Sequence, residues 1–108
     1  MSRPHNRLTA RQVAAITTPG RHGDGLGLWL QVSTYGSKAW LFRFVRDGRE
    51  RQMGLGSIHS VSLAEARRAA RAARQLLIAG LDPIEARRKR RDRDADDVRR
   101  RRESEARP

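Results

Sequence analysis

Arg43 and Gln31 are the side chains whose type and setting point most directly to chemistry. Arginine can donate two parallel hydrogen bonds to guanine, and glutamine can pair in the same bidentate way with adenine. Each stands in a short stretch where polar and apolar residues alternate, so each must point away from a core. Other arrangements offer less. Gly23-x-Gly25-x-Gly27 has the spacing of a phosphate-cradling loop, but it leads into a strand instead of joining a strand to a helix. The helix N-terminus that would hold the phosphate is missing, and a flexible entry to a hairpin is the better reading. Asp24, Asp47, Glu50 and Glu65 read as turn or cap residues, and no Ser/His/Asp arrangement has a local signature. His5, His22 and His59 are too scattered for a metal cluster, and His59 reads as a surface loop residue. The absence of cysteine removes disulfides, thiolate zinc sites and cysteine nucleophiles together. The chain therefore reads as a non-enzyme with no catalytic residue, no metal and no cofactor.

Charge directs attention to a polyanion. The 108 residues carry 24 Lys+Arg against 12 Asp+Glu, a formal net charge of +12. Nucleic acid is the commonest partner for such an excess. With 37% hydrophobic residues there is material for one modest core. Residues 85–107 are almost wholly charged, with only Ala86, Ala95, Val98 and Ala106 apolar, and cannot bury a core of their own. Residues 1–84 are themselves strongly basic, so the argument for a polyanion does not depend on the tail. No apolar run approaches the roughly 18 residues of a membrane span. The basic start Met1–Arg7 is not followed by an apolar stretch. A soluble protein without a secretory signal, cytoplasmic by default, is the expectation.

The elements that must position these residues follow from periodicity. Thr9 can cap a short helix burying Val13 and Ile16. Gly20 to Gly27 reads as loop. Leu28, Leu30 and Val32 alternate with Trp29, Gln31 and Ser33 as a first strand, and Trp40, Phe42 and Phe44 alternate with Leu41, Arg43 and Val45 as a second, antiparallel to it. Asp47-Gly48 is a strong hairpin signal leading into a third strand, Arg49 to Leu55, with a bend at Gly54 and Gly56. Ser62 and Glu65 have capping-box spacing, and Leu63, Ala66, Ala70, Ala73 and Leu77 give the following helix one face for the sheet. Arg67, Arg68, Arg71 and Arg74 are spaced to face solvent. Gly80 stands where the helix should end, and Asp82-Pro83 can start another. The segment from Ile84 to about Arg102 either continues as a solvated helix or frays. The fold class is α+β: a three-stranded antiparallel sheet on one main helix, with a short N-terminal helix and a charged C-terminal tail. The domain is expected to span residues 1–84, and an Arg-rich tail or linker helix residues 85–108.

Four motifs in order carry a resemblance. They are Asp24-Gly-Leu-Gly-Leu-Trp-Leu-Gln-Val32, Gly36-Ser-Lys-Ala-Trp-Leu-Phe-Arg-Phe44, Met53-Gly-Leu-Gly-Ser57 and Val61-Ser-Leu-Ala-Glu-Ala-Arg67, continued by Gly80-Leu-Asp-Pro-Ile84. Over about residues 8 to 88 the chain resembles the N-terminal arm-type DNA-binding domain of phage and prophage tyrosine recombinases, the integrases. The resemblance implies a three-stranded sheet laid in the major groove of arm-type sites, with the helix behind it. Family members continue into a core-binding domain and a catalytic domain with a nucleophilic tyrosine, whereas Tyr35, in the first hairpin turn, is the only tyrosine here. A non-catalytic module acting in DNA integration is implied, either as part of a longer integrase or as a free-standing binder.

The expected partner is double-stranded DNA, with the catalytic part of an integrase as a further one and a monomer as the isolated state. The expected contacts are Gln31, Ser33, Leu41, Arg43 and Gln52 on the exposed sheet face, and Lys38, Arg46, Arg49 and Arg51 on flanking phosphates. Two other readings stay open. One is an RNA-binding or ribosome-associated basic protein that uses Arg87 to Arg102. The other is a protein-interaction or inhibitor module that turns the same surface to an acidic partner.

Overall fold

The computed structural model describes residues 6–106; His5 and most of the basic start of the chain lie outside them. The element order is α1 (Ala10–Ala15), β1 (Gly20–Gly25), β2 (Leu28–Val32), β3 (Lys38–Arg46), β4 (Arg49–Ser57), α2 (Leu63–Ile78) and α3 (Pro83–Ala106). The class is α+β, as the sequence indicates. The sheet, however, has four antiparallel strands in the order β1-β2-β3-β4, not three.

The added strand is the stretch read as loop. Gly20–Gly25 has no alternating apolar residues, so nothing in its pattern announces a strand. It forms because β2 presents a free edge, and because a two-residue turn at Leu26-Gly27 brings the chain back. Leu26 (φ 55°) and Gly27 (φ 88°) both have positive φ, the geometry of a type I′ hairpin. Leucine rarely starts such a turn, which is why the sequence does not reveal it. Asp47 (φ 52°) and Gly48 (φ 74°) make the same turn between β3 and β4 with the expected residues.

The core lies on one face of the sheet. Leu28, Leu30, Val32, Trp40, Phe42 and Phe44 are buried there against Ala66, Ala70 and Ala73 of α2. The alanines let the helix lie close, and Leu63 and Leu77 close its ends. Ser62 and Glu65 complete the capping box, with both reciprocal bonds at 3.1 Å. α2 ends in a Schellman motif, in which Leu81 N–H donates to Leu76 and Gly80 N–H to Leu77. Thr9 caps α1 through a capping box with Gln12. The bend foreseen near Gly54 and Gly56 is a bulge, since Trp40 pairs with Gly56 and Leu41 with Gly54.

The charged tail is a helix. Asp82 accepts hydrogen bonds from the N–H groups of Ile84 (2.8 Å) and Glu85 (3.3 Å), and Pro83 is buried at the first helical position. The first turn packs on the core through Pro83 and Ile84, but beyond it α3 has no apolar face, and its residues there are held largely by backbone bonds and short-range ion pairs such as Arg99–Asp96.

Candidate nucleic-acid interface

Strand pairing decides which face each side chain meets. Leu28, Phe42 and Met53 stand in one row on the helix side, so the neighbouring rows must point outward. The outward rows are Arg21, Gln31 and Ala39, then Gly23, Trp29, Leu41 and Gly54, then Arg43 and Gln52, then Val45 and Glu50. The structure thus brings together four of the sequence-expected residues: Gln31, Leu41, Arg43 and Gln52.

Within this face the polar groups hold one another. Arg43 lies over the Trp29 ring, its guanidinium carbon 5.9 Å from the ring centroid, and pairs with Glu50. Arg21 reaches from the first strand of the sheet to the last, where its Nη2 donates to Gln52 Oε1 at 3.0 Å. Two planar cations, two primary amides and an indole make a surface able to donate, accept and stack. Sequence reasoning missed Arg21, because β1 was not legible, and left Trp29 out although the alternation of β2 already turned it away from Leu28 and Leu30.

The other expected residues are placed differently. Ser33 closes the turn between β2 and β3, its hydroxyl accepting from the N–H groups of Tyr35 and Ser37. Lys38, Arg46, Arg49 and Arg51 all fall on the helix side of the sheet, opposite Val32, Arg49, Arg46 and Phe44 respectively. Lys38 Nζ donates to the carbonyls of Val13 (2.8 Å) and Ala14 (2.9 Å) at the end of α1. Arg51 pairs with Asp82, and Arg46 Nη2 donates to the Gly80 carbonyl at 3.0 Å. Burial raises the Asp82 pKa, but the Glu85 and Ile84 amides and Arg51 outweigh it and hold the carboxyl below its ordinary range.

Two arginines of α2 expected in solvent are also engaged. Arg67 makes a bidentate pair with Asp24, and Arg74 Nη1 donates to the Leu26 carbonyl at 3.1 Å. Burial lowers the Arg74 pKa, with repulsion from Arg71 adding to the effect.

The arm DNA-binding domain family matches residues 8–90. The integrase of Shigella phage Sf6 and the prophage integrase IntS of Escherichia coli K12 are each 38% identical over 82 residues, 73% of this chain. Prophage integrase IntZ of the same bacterium is 41% identical over 87 residues, 76% of this chain. The matched region spans only 21 to 22% of the length of these relatives. With four ordered motifs, a sheet backed by an alanine-faced helix and a match over most of its length, the chain belongs to the arm DNA-binding domain family of phage and prophage integrases.

Proposed function

We propose that this chain is a non-catalytic module that binds double-stranded DNA by laying the outward face of its sheet in the major groove of arm-type sites, in the service of integrase-mediated recombination. The observation that carries the reading is the composition of that face. Arg21, Gln31, Arg43 and Gln52 stand together there beside Trp29 and Leu41, side chains suited to base edges and thymine methyls. The major groove is about 12 Å wide and admits a two-stranded β-ribbon, such as the β2–β3 or β3–β4 part of this face. Lys38 and Arg51, engaged elsewhere, drop out of the phosphate contacts first expected of them, while Arg46 and Arg49 stay within reach at the β3–β4 end. The module works as residues 1–84 with α3 as its extension, is monomeric in isolation, and acts in the cytoplasm joined to or beside the catalytic part of an integrase.

Selection from a random-sequence DNA duplex library with the full chain tests the reading. A single enriched motif is expected, and Arg43→Ala should weaken binding to it by about 1 to 3 kcal/mol while relaxing one base position. Absence of any enriched motif overturns the reading. Tighter binding to duplex RNA of the same length would favour the tail-centred alternative.

A further inference from the structure

The outward sheet face carries two cations, Arg21 and Arg43, against one carboxylate, Glu50, in a chain of formal charge +12. Duplex DNA presents one negative charge per about 1.7 Å, and cations set against phosphates supply much of the affinity of any binder. Those cations must come from outside the sheet face. Two adjoining clefts at the β3–β4 end of the molecule supply them. One, of about 710 Å³, is lined by Arg46, Arg49 and Arg51 with Asp47, Glu50 and Asp82. The other, of about 390 Å³, is lined by Arg46, Lys89 and Arg93 with Asp82 and Glu85. Arg46 and Asp82 are common to both, so the cations form a continuous row from the β3–β4 turn onto α3.

All but one of the acids along this row are paired with cations other than Arg46, Arg49, Lys89 and Arg93, and Asp47 alone offsets part of the Arg46 charge. Glu50 pairs with Arg43, Asp82 with Arg51 and the start of α3, and Glu85 with Arg88 at 3.4 Å, while Asp47 stands 3.8 Å from Arg46. Among the described residues, Arg49, Lys89, Arg90 and Arg93 have no ion-pair partner. Lys89 and Arg93 are four apart and Arg90 and Arg93 three apart, so the three share one side of the helix. α3 is also fixed in place: besides the Arg51–Asp82 pair, Arg87 Nη1 donates to the Gly54 carbonyl at 2.5 Å on the edge strand β4. A cation row held by the edge strand is already oriented when that strand meets DNA, so little ordering remains to oppose binding.

We infer that Lys89, Arg90 and Arg93 on the first three turns of α3, continued by Arg46 and Arg49, form a track that grips the phosphate backbone of duplex DNA beside the sheet face. This rests on the duplex-DNA reading above and adds the source of its affinity. Arg51 and Asp82 are positioning residues in this arrangement, since they set α3 on β4 and leave the phosphates to others.

The test is a salt titration of the full chain on a random-sequence 20-base-pair DNA duplex. Lys89→Gln/Arg90→Gln/Arg93→Gln should reduce the slope of log affinity against log salt by about 2 to 3. A control with the same loss of charge, Arg11→Gln/Arg68→Gln/Arg71→Gln, should leave the slope within about one of wild type. Circular dichroism should show the same helix content for both variants. An unchanged slope in the α3 variant, or an equal fall in the control, overturns the track. So does a fall seen on a duplex RNA of the same length but not on DNA. If the wild-type chain itself shows no salt-dependent binding to duplex DNA, the underlying reading fails as well, and the two failures are thereby told apart.

Discussion

Asp24 and Arg67 form a two-pronged ion pair, Nε to Oδ2 and Nη2 to Oδ1, both at 2.9 Å, with the carboxylate only 2% exposed. The pair joins three segments distant in sequence. Asp24 Oδ1 also accepts from Leu8 N–H at 2.9 Å, and Arg67 Nη2 donates to the Leu8 carbonyl at 2.7 Å. The chain ahead of α1, the edge strand β1 and the helix α2 thus meet at one carboxylate. Asp24→Ala would leave a partly buried guanidinium without its partner, and should lower stability by about 3 kcal/mol in urea denaturation. Arg67→Lys should recover only part of this, because an ammonium cannot make both bonds together.

Acid should act through the same residue. Burial raises the Asp24 pKa, but Arg67 and the Leu8 and Arg7 amides outweigh it and hold the carboxyl below its ordinary value. Asp82 is held down in the same direction. A carboxyl depressed in the folded state adds stability above its unfolded pKa, near 4, and loses it as pH falls through the folded value. Unfolding midpoints should therefore be flat from about pH 7 to 5 and drop steeply below about pH 4. In Asp24→Asn the drop should be shallower, with a lower starting plateau. An equally steep drop in that variant would locate the acid response elsewhere.

Lys38 should behave as a structural residue. Its ammonium sits on the last carbonyls of α1, so Lys38→Ala should cost about 1 kcal/mol of stability and fray that helix. Its effect on the salt slope of DNA binding should be close to nil. A slope reduced by about one would mean that Lys38 leaves the helix for a phosphate.

On the proposed function, Glu50 should compete with DNA for Arg43. Glu50→Gln removes the charge that holds the guanidinium and adds a neutral amide of the same shape. Binding to random-sequence duplex should tighten severalfold, while the ratio of selected to random affinity falls. Equal affinity changes on both duplexes would show that Glu50 contributes only general repulsion.

Gly27 is closed to other residues twice over. Its φ of 88° disfavours any side chain, and a Cβ there would come within 2.7 Å of the Arg43 carbonyl and 2.8 Å of the Phe42 ring. Gly27 also accepts the Arg43 N–H bond at 2.8 Å. Gly27→Ala should cost about 1 to 3 kcal/mol from the backbone alone. Amide chemical-shift changes should concentrate at Phe42 and Arg43.

The sequence revealed what depends on period and on local chemistry. The alternation through Trp40, Phe42 and Phe44, the Asp47-Gly48 turn, the Ser62/Glu65 box and the Gly80-Leu-Asp-Pro83 junction all stand where their residues imply. β1 was hidden because its cohesion comes from the edge of β2 and from Asp24, not from apolar alternation. The face of the site was legible at Arg43 and Gln31, since one buried neighbour on the same strand settles the direction of the next. The setting of the flanking cations was less legible. Arg46, Arg49 and Arg51 lie on the helix side by pairing parity, and Arg46 and Arg51 there find the Gly80 carbonyl and the Asp82 carboxylate, which no spacing rule exposes.

The two tryptophans occupy opposite sides of the same sheet. Trp40 is fully enclosed, its Nε1 donating to the Val61 carbonyl at 2.8 Å, whereas Trp29 lies on the outward face over Gly23 and beneath Arg43. The molecule thus carries two separate optical reporters and no others of their kind. Emission from Trp40 should follow disruption of the core, and emission from Trp29 should respond as well to occupation of the face by DNA. Trp29→Phe leaves a chain whose fluorescence reads folding alone, so stability and ligand occupancy can be followed independently without any added label.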